Sequence, residues 1–184
     1  MARRCAICRK LFEPRVSSLQ QICSPACAIE FAATRPERMD RIRKAAARRE
    51  RREYRAATET PAQARQKAQA AFNAWVRTRD AGLPCISCGH PNDGTRKWNA
   101  GHYRPAGTNP ALRFEPLNVH GQCERCNSYL SGNLADYRIG LIKRIGLEAV
   151  EWLEGPHELP RRTVAIYRTI AAEYRDRLKT ARAA

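Results

Sequence analysis

At 184 residues the chain has room for one ordinary domain or two small ones. Its 34 Lys and Arg against 18 Asp and Glu leave a formal charge of +16, which points to a polyanionic partner, nucleic acid first and an anionic membrane surface second. No apolar run reaches the roughly 20 residues of a spanning helix, and "MARRCAICRK" lacks the apolar stretch of a secretion signal. The expectation is a protein of a reducing cytoplasm.

Residues 1–31 open the chain as a cysteine-paired module, Cys5-x2-Cys8 followed by Cys23-x3-Cys27. The apolar residues between these cysteines, Leu11, Phe12, Val16, Leu19 and Ile22, are too few for so short a segment to fold unaided. A Cys-x2-Cys turn points two thiolates at one ion, and two such pairs complete a tetrahedral Zn2+ site. Cys85-x2-Cys88 and Cys123-x2-Cys126 repeat the arrangement. In a secreted chain eight cysteines could be four disulfides. Here the compartment reads as reducing and neither group sits in the βαβ pattern of a redox pair, so two structural zinc ions are expected.

Residues 32–80 read as a basic helical region. Alanine and arginine across 35–59 favour helix, and Arg41, Lys44, Arg48, Arg52 and Arg55 fall on one stripe. That stripe is either a helix face laid on phosphates or a solvated charged face. The helix restarts with Thr60 as N-cap, Pro61 at its first position and Gln63 as the capping-box partner. Ala68, Phe72, Trp75, Val76 and Arg79 then share a face, which predicts docking on the second cysteine module. Gly82 and Pro84 stop the helix.

Residues 81–133 hold the second cysteine group. Strand character surrounds Trp98 and Tyr103, "PAGTNPALRFEPLN" reads as a loop, "VHGQC" as a short strand and "ERCNSYLSG" as a short helix ending at Gly132. Residues 134–184 are helical. Leu134, Tyr137, Leu141, Ile142 and Ile145 keep helical spacing up to a stop at Gly146, "LEAVEWLEGP" is a short helix, and Val164, Tyr167, Ile170, Ala171, Tyr174 and Leu178 line a last amphipathic one. The fold class expected is mainly α with a small zinc-stabilised module, α+β.

Zinc accounts for Cys123 and Cys126 but not for His102 or Asn127. Together "CISCG", "AGHY", "LN" and "GQCERCN" resemble an HNH, or His-Me finger, endonuclease with a four-cysteine clamp, a treble-clef-like ββα-metal module. With "CAICRKLFEPRVSSLQQICSPACA", "LRFEPLNVHGQCERCNSYLSGN" and "YRIGLIKRIG" added, the chain resembles the phage NinG/Rap recombination proteins over nearly its whole length. The resemblance implies hydrolysis of DNA phosphodiesters with a catalytic Mg2+ or Mn2+. It implies branched recombination intermediates, Holliday junctions and D-loops, as substrates. It also implies a bacterial host, phage-infected or carrying a prophage.

On the matched positions His102 is the general base, Asn118 braces the loop that orients it, and Asn127 holds the catalytic ion. Imidazole suits a base near neutral pH. His120 is a candidate to face the metal or cap the zinc site, and Arg104 and Arg113 are candidates for phosphates. Each position also has a plainer reading: a structural histidine, a turn asparagine, a helix-start asparagine, surface charge. The pattern departs in one place, since many HNH enzymes carry an acidic ligand immediately before the catalytic His and this chain has Gly101. Two rival functions stand beside the endonuclease: a non-catalytic zinc DNA-binding adaptor, and an HNH nicking nuclease without branch preference. A homodimer would suit paired incision of a junction.

Overall fold

The computed structural model describes residues 2–17, 19–34 and 36–183. They divide between Thr58 and Glu59 into two compact units, each built on a different source of stability.

The first unit has almost no apolar interior. β1 (Arg3–Arg4) pairs antiparallel with β2 (Leu11–Phe12), and the turn between them carries Cys5 and Cys8. Strands of two residues are too short to show alternation, so composition does not announce them. α1 (Pro25–Ala33) begins at Ser24, whose hydroxyl accepts from the Cys27 amide at 3.3 Å. α2 (Pro36–Ala57) follows as a 22-residue helix. Among the described residues of this unit only Cys5 is fully buried, while Leu11, Leu19, Ile29 and Val16 (89%) stay exposed. The paired cysteines therefore take the place of a hydrophobic core. On α2 the stripe Arg41, Lys44, Arg48, Arg52 and Arg55 is exposed throughout, with Lys44 paired to Asp40 at 2.7 Å.

The second unit has two apolar cores. α3 (Pro61–Arg79) starts with the anticipated capping box: Gln63 N donates to the Thr60 hydroxyl at 3.3 Å and Thr60 N to Gln63 Oε1 at 2.9 Å. Buried Ala64, Ala68 and Ala71 leave room for close approach, and α3 packs on α6 (Val164–Ala183). Phe72 meets Tyr174 edge-on, ring centroids 4.7 Å apart, and Phe114 at 5.8 Å. β3 (Trp98–His102) and β4 (Val119–Cys123) form an antiparallel pair, in register from Trp98 opposite Cys123 to His102 opposite Val119. Directly opposed residues share a face of the sheet. Val119 and Ala100 pack with α3 and α6, and His102 shares their face. The opposite face meets α4 (Leu134–Ile145), where Tyr137 and Leu141 join Ile86 and the Val150 and Leu153 of α5 (Leu147–Glu154) in the second core.

The fold is mostly helical with two small two-stranded sheets, an α+β arrangement. Two local readings change. The stretch taken as a loop contains two 3-10 turns, Pro110–Phe114 and Pro116–Asn118, each opened by a proline. The short helix at "ERCNSYLSG" is a five-residue π turn, Arg125–Tyr129, in which Leu130 N donates to Arg125 O at 2.9 Å.

α4 lies directly against the Cys85–Cys88 turn. A Cβ on Gly140 would sit 1.9 Å from the Ile86 carbonyl oxygen, a backbone atom that cannot step aside. Gly140→Ala is expected to push the cysteine turn away, lowering stability by at least the roughly 1–3 kcal/mol of ordinary overpacking and weakening zinc retention. Thermal unfolding together with metal content checks this, and an unchanged midpoint contradicts so close a packing.

Candidate metal centres and the His102 loop

Four sulfurs gather in each cysteine group, all within 4.8 Å of one another: Cys5, Cys8, Cys23 and Cys27 in the first, Cys85, Cys88, Cys123 and Cys126 in the second. Cys8 to Cys23 is 3.4 Å, Cys23 to Cys27 3.8 Å and Cys88 to Cys123 3.8 Å. A tetrahedral ion with bonds of about 2.3 Å to sulfur sets its ligands about 3.8 Å apart, so both tetrads fit Zn2+, which thiolate sets favour. Burial pushes the Cys85 and Cys126 thiols up, while at Cys123 burial is outweighed by the Cys126 amide and the neighbouring sulfurs, and its thiol falls to about 7. Thiols this close share protons that a bound cation would replace.

The Cys5–Cys8 and Cys85–Cys88 turns close in the same way. The residue after the second cysteine is left-handed, Gly89 at φ 70° and Arg9 at φ 63°, and its amide returns to the first cysteine's carbonyl at 2.9 and 3.1 Å. Around the second tetrad Cys123 N donates to Cys85 Sγ at 3.4 Å and Asn133 Nδ2 to Cys126 Sγ at 3.7 Å. Such outer bonds orient the ligands. Gln122 ties β4 to the Cys85–Cys88 turn and to the turn after Cys126, its amide donating to Ser87 Oγ at 2.7 Å and to Gly132 O at 2.6 Å. Nothing in the sequence singles out Gln122, since a lone glutamine carries no spacing signal.

His102 and Asn118 meet in one hydrogen-bonded loop. Asn118 is fully buried; its Oδ1 accepts from Arg104 N at 2.7 Å and its Nδ2 donates to Arg104 O and Leu112 O, both at 3.0 Å. One side chain thus pins both ends of the segment leaving β3. That segment presents the Arg113 carbonyl to His102 Nε2 at 3.0 Å. A carbonyl only accepts, so in the neutral ring Nε2 carries the proton and Nδ1 keeps its lone pair. Burial holds the imidazole below its usual range, aided by the Arg113 charge and opposed by the Arg113 carbonyl bond.

The other expected positions lie elsewhere. Asn127 sits half-buried in the π turn beside Cys126 of the second tetrad, its amide donating to Ser128 Oγ at 3.4 Å. No hydrogen bond among the described residues joins it to His102 or Asn118. Of the two ring nitrogens of buried His120, Nε2 donates to Leu117 O at 3.1 Å and Nδ1 accepts from Arg79 at 3.3 Å. Both ring nitrogens are thus engaged, Asp80 Oδ2 lies 3.7 Å from Nδ1, and among the described residues His120 joins no group of three or more that could share an ion. Arg113 donates to Ala106 O at 2.7 Å and to Gln69 at 3.4 Å, bracing the loop. Arg104 keeps a half-buried guanidinium beside the same loop. Gly101 has a local cause: a Cβ there would lie 2.1 Å from Gln122 Oε1, so the space an acidic ligand needs is filled by the residue that ties the cysteine turns together.

Asp80 holds this region from below. Its carboxylate accepts from Arg79 at 2.6 and 2.9 Å and from Gly121 N at 2.7 Å, while Arg79 also donates to the Pro116 and Val119 carbonyls. Burial opposes its ionisation, but the Arg79 bonds and charge outweigh it and keep the carboxyl below its usual range. Asp80→Ala strands the Gly121 amide and leaves the Arg79 charge without its carboxylate, and is expected to cost about 3 kcal/mol, read as a lower urea midpoint at unchanged slope.

The fold and sites define a basic, mostly helical protein with two tetracysteine centres, the second clamping a hairpin that carries a histidine and its braced loop. The chain belongs to the bacteriophage lambda NinG protein family, whose model matches residues 1–183. Over 116 residues it is 49% identical to protein ninG of Escherichia phage 933W, 48% to that of Escherichia phage lambda and 47% to that of Salmonella phage P22. These alignments cover 63% of this chain and 56–57% of those relatives. No solved structure matches. Among the described residues no helix is long and apolar enough to cross a membrane.

Proposed function

We propose that this protein is a DNA endonuclease of recombination that cuts branched intermediates, with His102 as general base. On this reading the β3–β4 hairpin and the π turn behind it are a ββα-metal module. The observation that carries the proposal is the His102 to Arg113 carbonyl bond, held by Asn118. It leaves an oriented, unprotonated Nδ1 on a ring that burial keeps neutral. Nδ1 takes a proton from a water whose oxygen attacks phosphorus, the P–O3′ bond breaks, and the departing 3′ oxygen takes a proton from solvent water, giving 5′-phosphate and 3′-hydroxyl ends as the HNH resemblance implies. The exposed arginines of α2 suit phosphates, which position DNA without reading its bases. The branched substrate is drawn from the likeness to NinG/Rap recombination proteins.

The catalytic Mg2+ or Mn2+ fits less well than zinc. Among the described residues the two cysteine tetrads are the sole groups of three or more His, Cys, Asp or Glu placed to share an ion, and Asn127 offers one carboxamide. That observation favours the rival reading, a zinc-containing DNA-binding adaptor that does not cut. Incubating the full chain with a labelled four-way junction and the matching linear duplex, under Mg2+ and then Mn2+, separates them. Cleavage concentrated on the junction is the expected result. Equal cleavage of both makes the protein a nicking nuclease without branch preference, and binding without cleavage under either ion makes it an adaptor.

A further inference from the structure

Beside the His102 loop lies a cleft of about 330 Å³, walled in part by Arg104, Thr108, Asn109, Glu154 and His157. Two nitrogens on its wall, Arg104 Nε and His157 Nε2, are shielded from solvent yet have no hydrogen-bond partner. Native proteins leave buried polar atoms unpaired rarely, and a ligand is one reason.

The neighbouring arginines are different. Arg113 donates to Ala106 O, Arg138 to Glu154, and Arg162 to the Pro110 and Ala111 carbonyls. Among the described residues no hydrogen bond or ion pair engages the Arg104 guanidinium. Glu154 lies within reach of its charge, but Arg138 covers that carboxylate at 2.7 and 3.1 Å and Tyr103 Oη donates to it as well, so one carboxylate faces two guanidiniums. Thr108 and Asn109 bond within their own loop. The cleft therefore offers one positive charge in excess and two nitrogens without hydrogen-bond partners, the His157 ring being held edge-on by Trp152 at 4.8 Å.

We propose that this cleft holds one phosphodiester group of a DNA strand, with the Arg104 fork on its oxygens and His157 as the second ligand. A guanidinium fork matches phosphate oxygens in geometry as well as charge. The assignment of the strand as DNA rests on the proposed function. Arg104 follows His102 by two residues, roughly 7 Å of extended chain, so a strand seated here passes alongside the candidate base.

The test uses the full zinc-loaded chain and the dinucleotide TpT, which contains a single phosphodiester, followed through the ring 1H–15N signals of its 4 histidines. The His157 signal is expected to move saturably with TpT and not with thymidine. Arg104→Met, checked for unchanged zinc content, is expected to abolish that movement. It is also expected to reduce the slope of log affinity against log salt for junction binding by about one. A His157 signal indifferent to TpT, or an Arg104→Met slope equal to the parent's, overturns the proposal. Movement with inorganic phosphate but not with TpT overturns it too, by assigning the cleft to a free anion. If TpT moves His157 while the parent cuts no DNA, the cleft assignment stands and the nuclease reading falls.

Discussion

His102→Ala is expected to lower the rate of junction cleavage by about 10²–10⁴-fold, the usual contribution of a positioned base, with junction affinity and zinc content unchanged. The separation follows from what the ring touches. Its one hydrogen bond among the described residues goes to the Arg113 carbonyl, while the zinc ligands and Asn118 make their bonds without it. Losing the ring leaves that carbonyl half-buried and unpaired, a modest cost to stability but none to the phosphate-binding surface. The pH profile adds a second readout. A base acts in its neutral form, and burial holds this imidazole below its ordinary 6.5. Cleavage should therefore already be on its plateau at pH 7 and fall only as pH drops through the depressed value. Asn118→Ala should act on the same readout by another route: once the loop is freed, burial of the ring relaxes and the midpoint drifts back towards 6.5. A profile that keeps rising above pH 7, or equal rates for parent and His102→Ala, removes histidine from the chemistry.

Much of this arrangement can be read from residues, but not evenly. The Thr60–Gln63 capping box, the apolar face of α3 and the helix stop at Gly146 follow from local rules, since the residues that cause them are neighbours in sequence. The cysteine tetrads follow from paired spacing, because each pair must make a turn whatever the fold around it. Asn118 was traceable through resemblance alone; its three loop bonds run to residues 6 and 14 positions away. What sequence could not show is tertiary. Gln122 reaches Ser87, 35 residues back, and Tyr137 Oη donates to Gly101 O and accepts from His120 N, steadying both strands next to His102. Asp80, which no spacing in the sequence singles out, holds β4 through Gly121. No periodicity encodes such contacts, because each is a single polar atom meeting a distant backbone. The vacant acidic position at Gly101 is of the same kind: a departure from the HNH pattern on paper, a matter of packing against Gln122 in three dimensions.

Chelating the Zn2+ that the two tetrads fit is expected to undo the two units to different extents. In the first, Cys5 is the sole fully buried residue among those described, and Leu11, Val16, Leu19 and Ile29 give no apolar core to fall back on. Structural zinc in small modules contributes apparent binding free energies of roughly 10–16 kcal/mol near pH 7, far more than so few half-buried side chains can replace. Chelation should therefore open residues 1–34 completely, seen as rapid protease cleavage there. The second unit keeps Phe72, Val76 and Tyr174 between α3 and α6, and Tyr137, Leu141 and Leu153 on the other face. It should remain compact while the end of the hairpin at Trp98 and Cys123 loosens. Single substitutions divide the effect. Cys8→Ser should bind one zinc fewer and lose order only in the first unit. Cys123→Ser should also bind one fewer, keep the first unit intact, and lose cleavage through the strand that pairs with the one bearing His102. Metal content, protease mapping and junction cleavage on the three proteins decide the matter. If the chelated chain keeps the parent's protease pattern, neither tetrad is a structural metal site. If Cys123→Ser cuts as well as the parent, the second centre does not position His102.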